Sequence, residues 1–192
     1  MPRISASSVE EHREQVHRRV FQAFADLMSD LMSEQSFDAI TMAKLATAAG
    51  IGRTAIYHHF ADKEAVIVEF ASHETSRYLE GLRAALSDIS DPAQRLSVYI
   101  RHQLEAGQQF HMGLGNQLYG TLSRDAAVAI REHVVAVEEV LLEILRDGVA
   151  AGTFVVEDRA ATISLIHACL APRHLPIEAI QCFVLRALGA TP

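Results

Sequence analysis

Tryptophan is absent, and the 192 residues include only two cysteines, five prolines and ten glycines. Cys169 and Cys182 make no Cys-x-x-Cys pair and have no finger spacing with histidine, which excludes a disulfide scaffold and a structural zinc module. No apolar run approaches the roughly 18 residues of a membrane helix, and residues 1–8 lack the apolar centre of a signal peptide. The expectation is therefore a cytoplasmic chain with no membrane partner. The marks of common catalytic sites are missing too. There is no Gly-x-Ser-x-Gly elbow, no phosphate-cradling glycine loop and no dinucleotide fingerprint, since Gly113-Leu114-Gly115-Asn116 is too short and follows no strand. An enzyme is not expected, and no cofactor is assigned. Alternating β-branched runs of sheet length are also absent, so the fold class expected is all-α.

What the chain does have is unevenly placed charge. The net charge is −7, from 17 Lys+Arg against 24 Asp+Glu. Residues 1–63 are nearly balanced, with seven basic and eight acidic side chains, so the acidity belongs to the remainder. Between Asp38 and Asp62 no carboxylate occurs, while Thr41, Lys44, Thr47, Arg53, Thr54, Tyr57, His58 and His59 all offer groups that suit phosphate.

Periodicity and punctuation predict about nine helices. Val16, Val20, Phe24, Leu27 and Leu31 place a first helix over about 10–33. Thr41 is a cap for a short helix, with Ile40 and Leu45 set for a hydrophobic staple, and Gly50 is placed to end it in a left-handed conformation. A second short helix follows from Gly52 or Arg53. Asp62 then caps a long helix reaching about Leu86, and Asp91-Pro92 opens another. Gly107, Gly113, Gly115 and Gly120 break the next stretch. Helices are expected again over about 125–151, 158–171 and 176–188.

The run from Thr41 to Phe60, followed by Asp62-Lys63-Glu64, resembles the helix-turn-helix of tetracycline-repressor (TetR) family regulators. In such a unit Leu45, Ala46, Ile51, Ile56 and Phe60 form a buried wedge, and the second helix offers its first side chains to the major groove. The resemblance implies that Thr41, Tyr57, His59 and Lys63 meet phosphate and that Arg53 and Thr54 meet base edges, with Lys44 and His58 at the rim. Arg13, Arg18 or Arg19 of the first helix would reach the flanking backbone. Some residues depart from the family pattern: Gly52 replaces a usual serine cap, Ala55 a commonly hydroxylated residue and Ser36 a glycine, and Ala43 has no group with which to read a base.

The same resemblance divides the chain into a DNA-binding domain over 1–66 and an effector-binding and dimerisation domain over 67–192. It implies a homodimeric regulator, a repressor released from a near-palindromic double-stranded operator by a small molecule. Apolar positions beyond one core stripe place the dimer interface on the last two helices, at Ile163, Ile166, Leu170, Ile180, Phe183 and Val184, with Leu165 among them. Candidate effector contacts are Tyr99, His102, Gln103, Phe110, His111, Met112, Gln117, Tyr119 and His133, a mixture of aromatic surface and polar anchors. Two further readings stay open. One is a metal sensor built from His102, His111, His133, His167, His174 and Cys169, although no His-x-x-x-His spacing supports it and no metal site is assigned. The other is an architectural DNA-binding protein without an effector.

Overall fold

The structure, a computed structural model, describes residues 6–31, 39–109, 122–171 and 175–190. Regular structure among them consists of eight α-helices: α1 (Ala6–Leu31), α2 (Met42–Ala48), α3 (Arg53–His59), α4 (Lys63–Leu86), α5 (Pro92–Gln109), α6 (Arg124–Ala150), α7 (Arg159–Leu170) and α8 (Ile177–Ala187). Gly107 does not break the chain as expected but lies within α5, which runs on to Gln109; the rest of the glycine-broken stretch, with Gly113, Gly115 and Gly120, lies outside the described residues. α1 begins before Glu10, because residues 6–9 contain neither glycine nor proline to stop it. None of the helices among the described residues is long and apolar enough to cross a membrane.

Helix starts follow their caps. Side-chain oxygens of Asp62, Asp91 and Asp158 accept from the backbone N–H groups of Ala65, Gln94 and Ala161, at 2.8, 2.9 and 3.0 Å. Each occupies donors that would otherwise have no helical partner, worth about 1 kcal/mol per cap.

The chain forms two compact units, residues 1–72 with 115–130, and residues 73–114 with 131–192. α4 and α6 contribute residues to both. In the first unit, Val20 and Phe24 of α1, Leu45 of α2, Ile56 of α3 and Ile67 of α4 are completely buried. Phe70 meets Phe24 edge to face at 5.0 Å between ring centroids, and Phe21 at 5.8 Å. Such pairs add specific geometry to the area they bury.

In the second unit α5 packs against α7 and α8. Leu82, Leu96, Tyr99, Ile100, Leu141 and Ile144 are completely buried there. Polar ties frame this core: Gln181 Nε2 donates to the Ser97 carbonyl at 2.7 Å, and Arg95 and Arg101 pair with Asp147 and Glu178. Gly148, inside α6, accepts at its carbonyl from the backbone N–H groups of Thr153 and Phe154. The Phe154 ring lies so close that a Cβ on Gly148 would stand 1.9 Å from its Cδ2.

Candidate functional site

α2 and α3 are held at their angle by a wedge and a turn. Leu45, Ala46, Ile56 and Phe60 are buried, Ile51 is half-buried, and α1 packs on α2. Thr41 caps α2 by accepting from the Lys44 backbone N–H at 3.2 Å. In the turn, the N–H groups of Gly50 and Ile51 donate to the carbonyls of Thr47 and Ala46. Gly50 has φ +61°, a left-handed backbone that favours glycine. Arg19 of α1 donates from Nη2 to the Gly50 carbonyl at 2.8 Å, and a Cβ on Gly50 would stand 2.7 Å from that nitrogen. Of the three arginines expected near flanking DNA, Arg19 is thus engaged in the turn.

Over this wedge, α3 exposes Arg53, Thr54, Tyr57 and His58. Gly52 caps α3 with no side-chain bond, as its residue type dictates. Thr41 is exposed, and while its oxygen accepts from Lys44 its hydroxyl proton is still available to donate. Lys44 is exposed and its Nζ donates to the Ala39 carbonyl at 2.8 Å. Lys63, the first residue of α4, is half-buried.

His59 lies half-buried at the end of α3, its ring 5.6 Å from that of His17 on α1. His17 packs on Phe60 at 4.6 Å and meets Glu69 Oε2 of α4 through Nδ1 at 3.2 Å, while its buried Nε2 has no partner among the described residues. Burial holds the His17 imidazole below the usual histidine range, Arg13 adds to this and Glu10 opposes it. The same holds for His59, through burial first and then His17, His12, Arg13 and His58. Burial pushes the Glu69 carboxyl upward, against Arg13 and His59. This cluster was not legible from the sequence, because its members come from α1, α3 and α4 and meet only once those helices pack.

Next to Lys63, the Glu64 carboxylate receives the backbone N–H and the hydroxyl of Ser123 at 2.8 and 2.5 Å. Ser123 Oγ also accepts from the Ala126 N–H at 3.3 Å, so the residue that caps α6 rests on the first turn of α4.

Within the second unit, α4 and α5 border a cleft of about 200 Å³ lined by Glu74, Arg77, Tyr78, Gly81, His102, Glu105 and Ala106. Of the effector candidates among the described residues, only His102 lines it. Tyr99 is completely buried and its phenol, pushed up to about 12 by burial, accepts a 2.9 Å bond from Gln103 Nε2. Gln103 and His133 are half-buried, while Phe110, His111, Met112, Gln117 and Tyr119 lie outside the described residues. Glu74, Tyr78 and Glu105 had carried no signal in the sequence.

The expected interface residues divide. Ile163, Ile166, Ile180 and Val184 are buried in the core of their own chain, at 7, 3, 4 and 2% exposure. Apolar excess on α7 and α8 is thus largely consumed within the core of the second unit, where α8 packs on α5 and the two helices pack on each other. Leu170 is half-buried, and Phe183 and Leu165 stand out at 64 and 66% exposure. His167 and Cys169 are half-buried on α7, and among the described residues no three His, Cys, Asp or Glu side chains are grouped so as to hold a metal ion. His174 lies outside those residues.

Residues 29–70 match the family model for bacterial regulatory proteins of the tetR family, and residues 92–183 match that for the tetracyclin repressor-like C-terminal domain. Among curated proteins, the HTH-type transcriptional repressor Rv1474c of Mycobacterium tuberculosis is 31% identical over 94 residues, 46% of either chain. The matched stretch thus spans less than half the length of the curated relatives. Among solved structures, superantigen PfiT is similar with a TM-score of 0.76 at 21% identity, over 90% of this chain and 95% of that one. The regulator FadR from Bacillus subtilis in complex with stearoyl-CoA has a TM-score of 0.70 at 16% identity, over 91 and 96%. At such identities both likenesses speak for the fold alone.

Proposed function

Because this chain belongs to the TetR family of bacterial regulatory proteins, a family of DNA-binding transcriptional regulators and not of enzymes, we propose that it is a homodimeric repressor whose hold on a near-palindromic operator is relieved by a small molecule. The observation that carries this reading is the exposed face of α3, where Arg53, Thr54, Tyr57 and His58 stand over a buried wedge in a stretch without carboxylates. Arg53 reads a guanine through its two-pronged guanidinium and Thr54 reads beside it. Tyr57, Thr41, Lys44, His58, His59 and Lys63 fix the register on phosphate. Residues 1–66 serve as the DNA-binding domain and residues 67–192 sense the effector and pair the subunits. The exposed Phe183 and Leu165 supply the apolar centre of that pairing, and two reading heads then sit about 34–36 Å apart. The effector acts by binding more tightly to one separation of the heads than to the other, and tenfold relief of repression needs about 1.4 kcal/mol of difference. FadR of Bacillus subtilis, which shares the fold, holds stearoyl-CoA, and a small-molecule effector is in keeping with it.

Selection of bound fragments from random DNA tests the reading. Two inverted half-sites about one helical turn apart are expected. Recovery of fragments with no shared sequence would refute it. Sedimentation checks the pairing: the wild type should run at twice 21.1 kDa, and Phe183→Asp with Leu165→Asp should run as a monomer. A wild type that stays monomeric on dilution removes the dimer from the proposal.

A further inference from the structure

On the effector-responsive reading above, we propose that the cleft on α4 and α5 takes a small organic cation whose ammonium group pairs with the buried carboxylate of Glu74. The Glu74 side chain is only 9% exposed, while the arginine that pairs with it, Arg77, is 64% exposed. Nη1 of Arg77 reaches the two carboxylate oxygens at 3.2 and 3.5 Å, and His73 Nδ1 lies 3.2 Å away. All of these contacts come from the same helix. Because Arg77 reaches Glu74 from solvent, an incoming ammonium can take its place against the carboxylate, which stays paired while the guanidinium turns back into water. A carboxylate with so little water around it, by contrast, responds strongly to a charge placed against it.

The rest of the lining agrees in sign. Glu105 adds a second carboxylate, and burial keeps the His102 imidazole below its usual range and so largely uncharged at neutral pH. Glu105 is half-exposed and shares Arg101 at 3.9 Å, so the buried Glu74 is the anionic anchor of the cleft, and an anion would meet Arg77 already engaged. The walls suit a cation as well. The Tyr78 and His102 rings meet edge to face at 4.7 Å, and tyrosine faces attract positive charge. Tyr78 Oη and His102 Nδ1 are buried with no hydrogen-bond partner among the described residues, which leaves lone pairs for a ligand N–H. A Cβ on Gly81 would come within 3.4 Å of His102 Nε2, so the glycine leaves that ring room. Size sets the scale: an apolar cavity of roughly 150 Å³ holds benzene, so about 200 Å³ suits an aromatic ring bearing a short amine.

Benzylammonium, benzyl alcohol and benzoate form a set of nearly equal size and different charge. Calorimetric titration of the full chain at pH 7 should show benzylammonium binding at least tenfold more tightly than either of the others. Glu74→Gln should remove that preference, and Arg77→Ala, which clears the competing guanidinium, should tighten benzylammonium binding several-fold. Equal binding of all three, no binding of benzylammonium at millimolar concentration, or unchanged affinity in a folded Glu74→Gln chain overturns the proposal. Should Glu74→Gln fail to fold, Arg77→Ala decides, and affinity no tighter than wild type overturns it. Binding of the ligand-free chain to its selected DNA is measured on the same preparation. DNA binding without cation preference sinks this inference alone, whereas cation preference without DNA binding sinks the regulator reading.

Discussion

The two surfaces proposed for recognition are assembled in opposite ways. The exposed face of α3, its wedge and its turn all come from residues 41–60. The cleft of the second unit instead brings residues 74–81 of α4 to residues 102–106 of α5, with neither set meaningful alone. A surface built from consecutive residues carries its spacing in the chain, and a surface built across helices exists only after packing. Damage to the supports beneath each should therefore have separable consequences.

Phe60→Ala should have the largest effect. Phe60 is 1% exposed and packed on His17, so its truncation costs about 3–5 kcal/mol and removes operator binding along with the wedge. Denaturant melts and DNA titration check both. Gly148→Ala strikes the second unit, where the new methyl collides with Phe154 at an expected cost of about 1–3 kcal/mol. At a temperature where that variant is folded, its operator affinity should equal the wild type's; a matching loss of DNA binding would break the comparison. Arg53→Ala should leave stability unchanged and relax base preference by about 1–3 kcal/mol. Lys63→Ala should weaken all sequences alike and reduce the salt slope by about one. Competition assays over mutated half-sites and a salt series separate these outcomes.

The smallest effect expected is a drift with pH. His17 and His59 both take up a proton less readily when folded than when unfolded. The unfolded chain therefore binds protons first, and stability from this pair, full above about pH 6.5, is lost as the pH falls from there through the lower folded values. Glu69 acts in the opposite sense at lower pH, since its raised carboxyl favours the folded head as it protonates. Thermal midpoints should fall between pH 7.5 and 6, and His17→Phe should flatten that slope. A His17→Phe chain with an undiminished slope would assign the titration to other groups.

Legibility followed the same division. Thr41, Gly50, Asp62 and Asp91 act on backbone within a few residues of themselves, and each has the role its type and position forecast. Ile163, Ile166, Ile180 and Val184 show the limit. Apolar periodicity says that a helix face is covered, but the covering partner, here other helices of the same unit, depends on tertiary packing. The burial of Tyr99 was hidden for the same reason, since a tyrosine at a pocket wall and one buried with its hydroxyl bonded to a neighbouring glutamine look alike in sequence. Glu74 was hidden because an acidic residue on an amphipathic helix ordinarily faces water, and the burial of this one follows from tertiary packing.

Arg19 has a further consequence. Its guanidinium is bonded to a peptide oxygen, which is neutral, so the bond to Gly50 fixes its position and cancels none of its charge. The elbow between α2 and α3 therefore carries a stationary positive source contributed from 31 positions away in the chain. Even without touching a phosphate, it raises the local potential felt by an approaching polyanion, and replacing it by a neutral hydrogen-bond donor would slow capture of DNA while leaving the elbow's shape intact.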